Sequence, residues 1–110
     1  MARETGKSGY KVKLKKKLYE IFPDCMIQDQ DPNTTHTGIP DLLIIWGDRW
    51  AMLEVKAARN SAKQPLQDHY IEFYNQMSFA SFIYPENESE VLHALQAALA
   101  PSGNARHTQP

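Results

Sequence analysis

With one cysteine, Cys25, the chain has no partner thiol for an internal disulfide, and no Cys/His spacing suits a zinc site. Its 110 residues hold no apolar run near the roughly 20 that a membrane-spanning helix needs. The basic N-terminus lacks the apolar stretch of a secretory signal. Glycine is scarce, at five residues, and none cluster into a phosphate-cradling loop; no internal repeat is present. These absences exclude a disulfide scaffold, a membrane span and a P-loop enzyme. They leave one domain over residues 1–100 with a modest core, and an intracellular location as the expectation. Residues 101–110 contain Gly, Ser and Pro and read as a flexible tail. Cys25, next to Met26 and Ile27, reads as a small buried hydrophobe.

Charge is present but unevenly spread. The net charge is −1. Residues 1–17 carry seven Lys or Arg against Glu4, a net +6, and the rest carry five against twelve Asp or Glu, a net −7. A basic helix on an otherwise acidic chain suits contact with a phosphate backbone, and Lys11, Lys15 and Lys16 are its candidate contacts. The same lysines would equally serve as a solvated helix face.

Hydrophobic spacing sets out the elements. Tyr10, Leu14, Leu18 and Ile21 make a helical stripe over residues 8–22, ended by Pro23-Asp24. A short strand over 25–28 precedes a polar loop over 29–38 that contains His36. Two apolar strands follow, then a polar connection over 57–63 carrying Arg59 and Lys63. A second helix over 65–77 is expected to start with Pro65 and to bury Leu66, Tyr70, Phe73 and Met77. Residues 79–84 read as a strand, and Asn87-Glu88-Ser89-Glu90 reads as a capping box opening a third helix. The order α-β-β-β-α-β-α predicts an α/β fold, a mixed four-stranded sheet flanked by helices. Its first three strands would form a meander, and its last would lie parallel to the third.

The two apolar strands carry the chemistry. Leu42 to Trp46 and Arg49 to Val55 flank Gly47-Asp48, a two-residue hairpin turn. That turn pairs Trp46 with Arg49 and, stepping outward, Asp41 with Glu54. Lys56 then shares the face of Glu54, because side chains alternate along a strand. Leu43, Ile45, Trp50 and Met52 share this face; Leu42, Ile44, Ala51, Leu53 and Val55 form the other. Both faces are apolar, so the strands are expected to be central and covered on both sides by helices. Two opposed carboxylates repel, and a divalent cation between them would relieve the repulsion.

Pro40-Asp41 followed by Glu54-Val55-Lys56 resembles the PD-(D/E)XK nuclease motif. With Gly38-Ile39 before it and Pro65-Leu66-Gln67 after it, the chain over about residues 8–100 resembles the small stand-alone VRR-NUC domains. These are common in phages and related to Holliday-junction resolvases. The resemblance implies a restriction-endonuclease-like core and a metal-dependent endonuclease acting on branched, nicked or recombining DNA, in the host cytoplasm if phage-encoded. It implies Mg²⁺ or Mn²⁺ held by Asp41, Glu54 and the Val55 carbonyl, with Lys56 acting on water and developing charge and Gln67, in the first turn of the second helix, beside Lys56 and the scissile phosphate. It also implies a homodimer, which would set one site against each DNA strand. Arg59, Lys63 and His36 join the first-helix lysines as candidate DNA contacts. A homing or nicking nuclease, a catalytically silent nucleic-acid-binding module and a small protein-interaction domain are the alternatives. One departure stands out. Similar domains often carry a metal-binding Glu on the first helix, and the expected position falls near Lys7 or Ser8, neither of them acidic.

Overall fold

The computed structural model describes residues 6–30, 38–63 and 65–100. His36, a candidate DNA contact, and the tail at 101–110 lie outside them. The elements run α1 (Gly6–Ile21), β1 (Met26–Asp29), β2 (Leu42–Trp46), β3 (Arg49–Val55), α2 (Gln67–Met77), β4 (Phe79–Ile83), a 3₁₀ turn (Pro85–Asn87) and α3 (Glu88–Leu99). The fold is α/β, and the sheet order is β1-β2-β3-β4. The first three strands are antiparallel neighbours, and β4 lies parallel to β3. The hairpin register is the one the turn predicts, from Trp46 opposite Arg49 to Leu42 opposite Leu53. Gly47 makes the turn at φ 66, a left-handed conformation that costs glycine little. Among the described residues no helix is long and apolar enough to cross a membrane.

One face of the sheet is sealed. Leu42, Ile44, Ala51, Leu53, Val55 and Ile83 are wholly buried against Leu14, Leu18 and Phe22 of the first helix and its end, and Val91, Leu95 and Leu99 of α3. Leu14 and Leu18, four apart, put one stripe of α1 into this layer. The end of α1 is clamped to the hairpin tip: Trp46 packs edge-on to Phe22 at 5.0 Å, and its indole N–H donates to the Pro23 carbonyl at 2.8 Å. Tyr10 donates to Glu88 at 2.9 Å and Lys17 pairs with the same carboxylate, tying α1 to the start of α3. Cys25 is buried beneath α1, as its neighbours suggested.

The other face corrects two expectations. Among the described residues helix α2 packs mainly on β4 and β3, so this face is covered over its β3–β4 half and left largely open over β2. Leu43, Ile45 and Trp50 stay half-buried and, with Met52, line an open apolar groove of about 410 Å³. Nor does α2 bury the whole stripe Leu66, Tyr70, Phe73 and Met77: Tyr70 is half-buried, but Leu66 and Met77 are 55% exposed and Phe73 is 46% exposed. The residues that meet the sheet are offset by one position. Gln67 reaches Glu54 and Lys56, Tyr74 packs edge-on to Trp50 at 6.2 Å, and Ser78 bonds the Trp50 carbonyl. Two stripes at helical spacing lie side by side, and hydrophobicity alone pointed to the wrong one.

Smaller differences have local causes. The helix starts at Gln67, not at Pro65, because Leu66 adopts a left-handed φ of 74 and breaks the helical path. Asn87 precedes α3 but does not cap it. Its side chain accepts from the Tyr84 N–H at 2.8 Å and donates to the Phe82 carbonyl at 3.2 Å, so it closes the preceding 3₁₀ turn instead.

Candidate active site

Four polar side chains converge where β3 leaves the sheet. Glu54, the sixth residue of β3, is 1% exposed. Asp41 sits one step outside the β2 ladder. Its N–H donates to Glu54 Oε1 at 3.1 Å, and its own Oδ2 accepts from the Val55 N–H at 3.0 Å. These reciprocal bonds lock the two acids to the strand end, so Asp41 is positioned by backbone geometry rather than by a flexible loop. The Asp41 carbonyl accepts from Gln30 at 2.7 Å, which holds the same residue to the β1 side.

Lys56 and Gln67 close the cluster from within. Both are nearly buried. The Lys56 ammonium donates to Gln67 Oε1 at 2.7 Å and to the Ala62 carbonyl at 2.9 Å, and lies 3.8 Å from Glu54 Oε2. Gln67 Nε2 in turn donates to Glu54 Oε2 at 2.8 Å. The amide orientation follows from chemistry: an ammonium only donates and a carboxylate only accepts, so the amide oxygen must face Lys56. Gln67 therefore bridges Glu54 and Lys56. The expectation that it lies in the first turn of α2 beside Lys56 holds, and the structure adds that it is buried and bonded to Glu54 as well.

A close backbone approach brings these pieces together. Gly38 has φ 94, and a Cβ there would lie 3.2 Å from Leu66 C, Leu66 Cβ and the Pro65 carbonyl. A side chain there would be crowded as well as strained by the left-handed φ, because the segment around Gly38 lies close against Pro65 and Leu66. Leu66 itself carries left-handed strain of about 1–2 kcal/mol. The strained turn swings Gln67 beneath Glu54. Pro40 is fully buried between Gly38 and Asp41.

The electrostatics match the geometry. Burial, and then repulsion from Asp41, push the Glu54 carboxyl up to about 7, against partial relief from Lys7 and Lys56. Burial also pulls the Lys56 ammonium below its ordinary value, with Glu54 opposing. A second positive group completes the site from outside. Lys7, in the first turn of α1, lies 2.9 Å from Asp41 Oδ2 and 3.5 Å from Glu54 Oε2. Burial would lower its ammonium, but hydrogen bonding and attraction to Asp41, with Glu54 adding, outweigh this and hold it above the ordinary lysine value. Reasoning from the sequence had marked this position only as a missing acid.

The donor set suits a hard divalent cation. Among the described residues no third His, Cys, Asp or Glu joins Asp41 and Glu54. Mg²⁺ is commonly held by one or two carboxylates while keeping several waters, so two acids beside the Val55 backbone fit Mg²⁺ or Mn²⁺ and do not fit Zn²⁺.

The outlying candidates are spread around this centre. Lys63 pairs with Asp68 at 3.1 Å and lies over the Phe82 ring at 4.6 Å; Phe82 is the β4 partner of Glu54. The Arg59 guanidinium lies over Tyr84 at 5.7 Å, and its backbone N–H donates to Glu86. Both flank the site on its β4 side. Lys11 and Lys15 share Asp29, at 3.4 and 2.6 Å, while Lys16 is exposed. No family model matches the chain, and no curated protein or solved structure matches it.

Proposed function

We propose that the protein is a metal-dependent DNA endonuclease on a restriction-endonuclease-like core, of the VRR-NUC type within the PD-(D/E)XK nucleases. The observation that carries this reading is the convergence of Asp41, Glu54, Lys56 and Gln67 from separate segments into one cluster at the sheet end. Burying Glu54 and Lys56, with a second acid, Asp41, partly buried beside them, costs stability, and such clusters are characteristic of functional sites. A divalent cation bound by Asp41, Glu54 and the Val55 carbonyl would lower the pKa of a bound water and neutralise charge on the phosphate. The chain's own groups do the rest. Gln67 holds Lys56 and Glu54 at fixed separation, so the acid keeps its orientation towards Asp41. Lys56 offers a proton donor and positive charge beside the acids, where it can orient water and stabilise developing negative charge.

The substrate we propose is branched, nicked or recombining DNA. The basic α1, Arg59 and Lys63 supply positive charge around an acidic centre, as backbone contact requires. A second copy of the chain is the partner that suits the exposed apolar residues Leu66, Phe73 and Met77, since phosphate chains offer nothing to an apolar surface.

The test is a cleavage assay on linear duplex, single-stranded, flap and four-way-junction DNA with Mg²⁺, Mn²⁺ or chelator. Cleavage should require the cation, favour branched substrates and disappear in Asp41→Asn and Glu54→Gln, both with wild-type circular dichroism. Wild-type rates in either variant would remove the metal-site assignment.

A further inference from the structure

Lys7 occupies a position that the nuclease reading does not explain. It comes from α1, an element on the sealed side of the sheet, yet its side chain crosses to the acid pair. The two lysines bracket the acids differently. Lys56 approaches from inside and is anchored by Gln67 and the Ala62 carbonyl. Removing it would leave buried acceptors unpaired. Lys7 approaches from outside, its side chain is 44% exposed, and its contacts among the described residues are the two carboxylates themselves. Four rotatable bonds let it swing into solvent without disturbing the helix, which Leu14 and Leu18 hold in the core.

An ammonium and a divalent cation compete for the same oxygens. Asp41 Oδ2 already accepts the Val55 N–H at 3.0 Å and faces Lys7 at 2.9 Å. We propose that Lys7 is a tethered cation that neutralises the Asp41–Glu54 pair in the metal-free protein and yields it to the divalent ion. Displaced, it stays within a side-chain length of the site as a positive charge for the phosphate, where a first-helix acid would instead have recruited more metal. This proposal rests on the nuclease reading and refines how its site loads.

Calorimetric titration of Mn²⁺ and Mg²⁺ at fixed ionic strength into wild type, Lys7→Gln and Lys7→Arg tests it, together with melting curves in chelator and in saturating Mn²⁺. Lys7→Gln should bind Mn²⁺ about five- to tenfold more tightly, the low end of ordinary coupling because Lys7 is partly solvated. The metal-free variant should melt below wild type, and saturating Mn²⁺ should close that gap, since the ion then does the work of the ammonium. Lys7→Arg keeps the charge and should bind close to wild type. If wild type binds Mn²⁺ and Lys7→Gln binds it equally or more weakly, Lys7 is no competitor and the proposal fails while the metal site stands. A gain in Lys7→Arg equal to that in Lys7→Gln also overturns it. If no variant binds Mn²⁺ or Mg²⁺, the metal site itself is refuted and the proposal falls with it.

Discussion

The two faces of the central hairpin are built from alternate residues of the same strands and do opposite work. On one, Leu42, Ile44, Ala51, Leu53 and Val55 are wholly buried under α1 and α3. On the other, Leu43, Ile45 and Trp50 are half-buried, and the run ends in Glu54 and Lys56. Period-two alternation lets one strand serve both, because a side chain's face is set by its position alone. The sealed face supplies the burial that stabilises the fold. The open face can then carry charges and strain that cost stability. Leu66 in its left-handed turn and Glu54 with its raised pKa both lie on the open side.

The sharpest way to probe the open face is Lys56→Ala. Single-turnover cleavage should fall by about 10²- to 10⁴-fold, with Mn²⁺ affinity little changed. A loss below about threefold would reduce Lys56 to a structural partner of Gln67. Stability measurements probe the contrast itself. Leu53→Ala on the sealed face should cost about 2–5 kcal/mol in urea unfolding, whereas Phe73→Ala on exposed α2 should stay within about 1 kcal/mol. Equal costs would mean that the faces do not differ as their burial says.

A pH series isolates the open face further. The Glu54 carboxyl is held up near 7, from an ordinary 4.5, by burial and by Asp41, with Lys7 of α1 and Lys56 offsetting and Gln67 of α2 bonded to it. A raised pKa means that the folded state favours the proton. The stabilisation is full below about 4.5 and is lost as pH rises through about 7. The metal-free protein should therefore lose stability between these values and pH 8, Glu54→Gln should flatten that slope, and Mg²⁺ should restore stability at pH 8. A metal-free stability that is flat or rising over this window would show that Glu54 ionises normally.

The smallest effect is expected at α1. Changing Lys11, Lys15 and Lys16 together to Gln should weaken binding to every DNA shape. It should flatten the log–log salt dependence by about 0.9 for each duplex phosphate that is no longer neutralised. Asp29 already shares Lys11 and Lys15, so the flattening should be smaller than three unpaired lysines would give. An unchanged slope in the folded variant would turn this helix away from DNA and leave Arg59 and Lys63 to hold the backbone.

What local chemistry governs was legible in the residues. A two-residue Gly47-Asp48 turn has few geometries, so it determined the register of β2 and β3 and, through it, that Asp41 meets Glu54 and that Lys56 shares its face. The order of elements and the parallel last strand followed from hydrophobic period and crossover length. How distant segments meet was decided only by packing. Helix α2 presents two stripes one residue apart, and the one that faces the sheet sets Gln67 between Glu54 and Lys56 and Tyr74 against Trp50. Gly38 matters because Leu66, far along the chain, crowds the place where a Cβ would sit. Lys7 looked like the loss of an acid. Its meaning depends on a helix start meeting a strand end, and nothing in the spacing along the chain encodes that meeting.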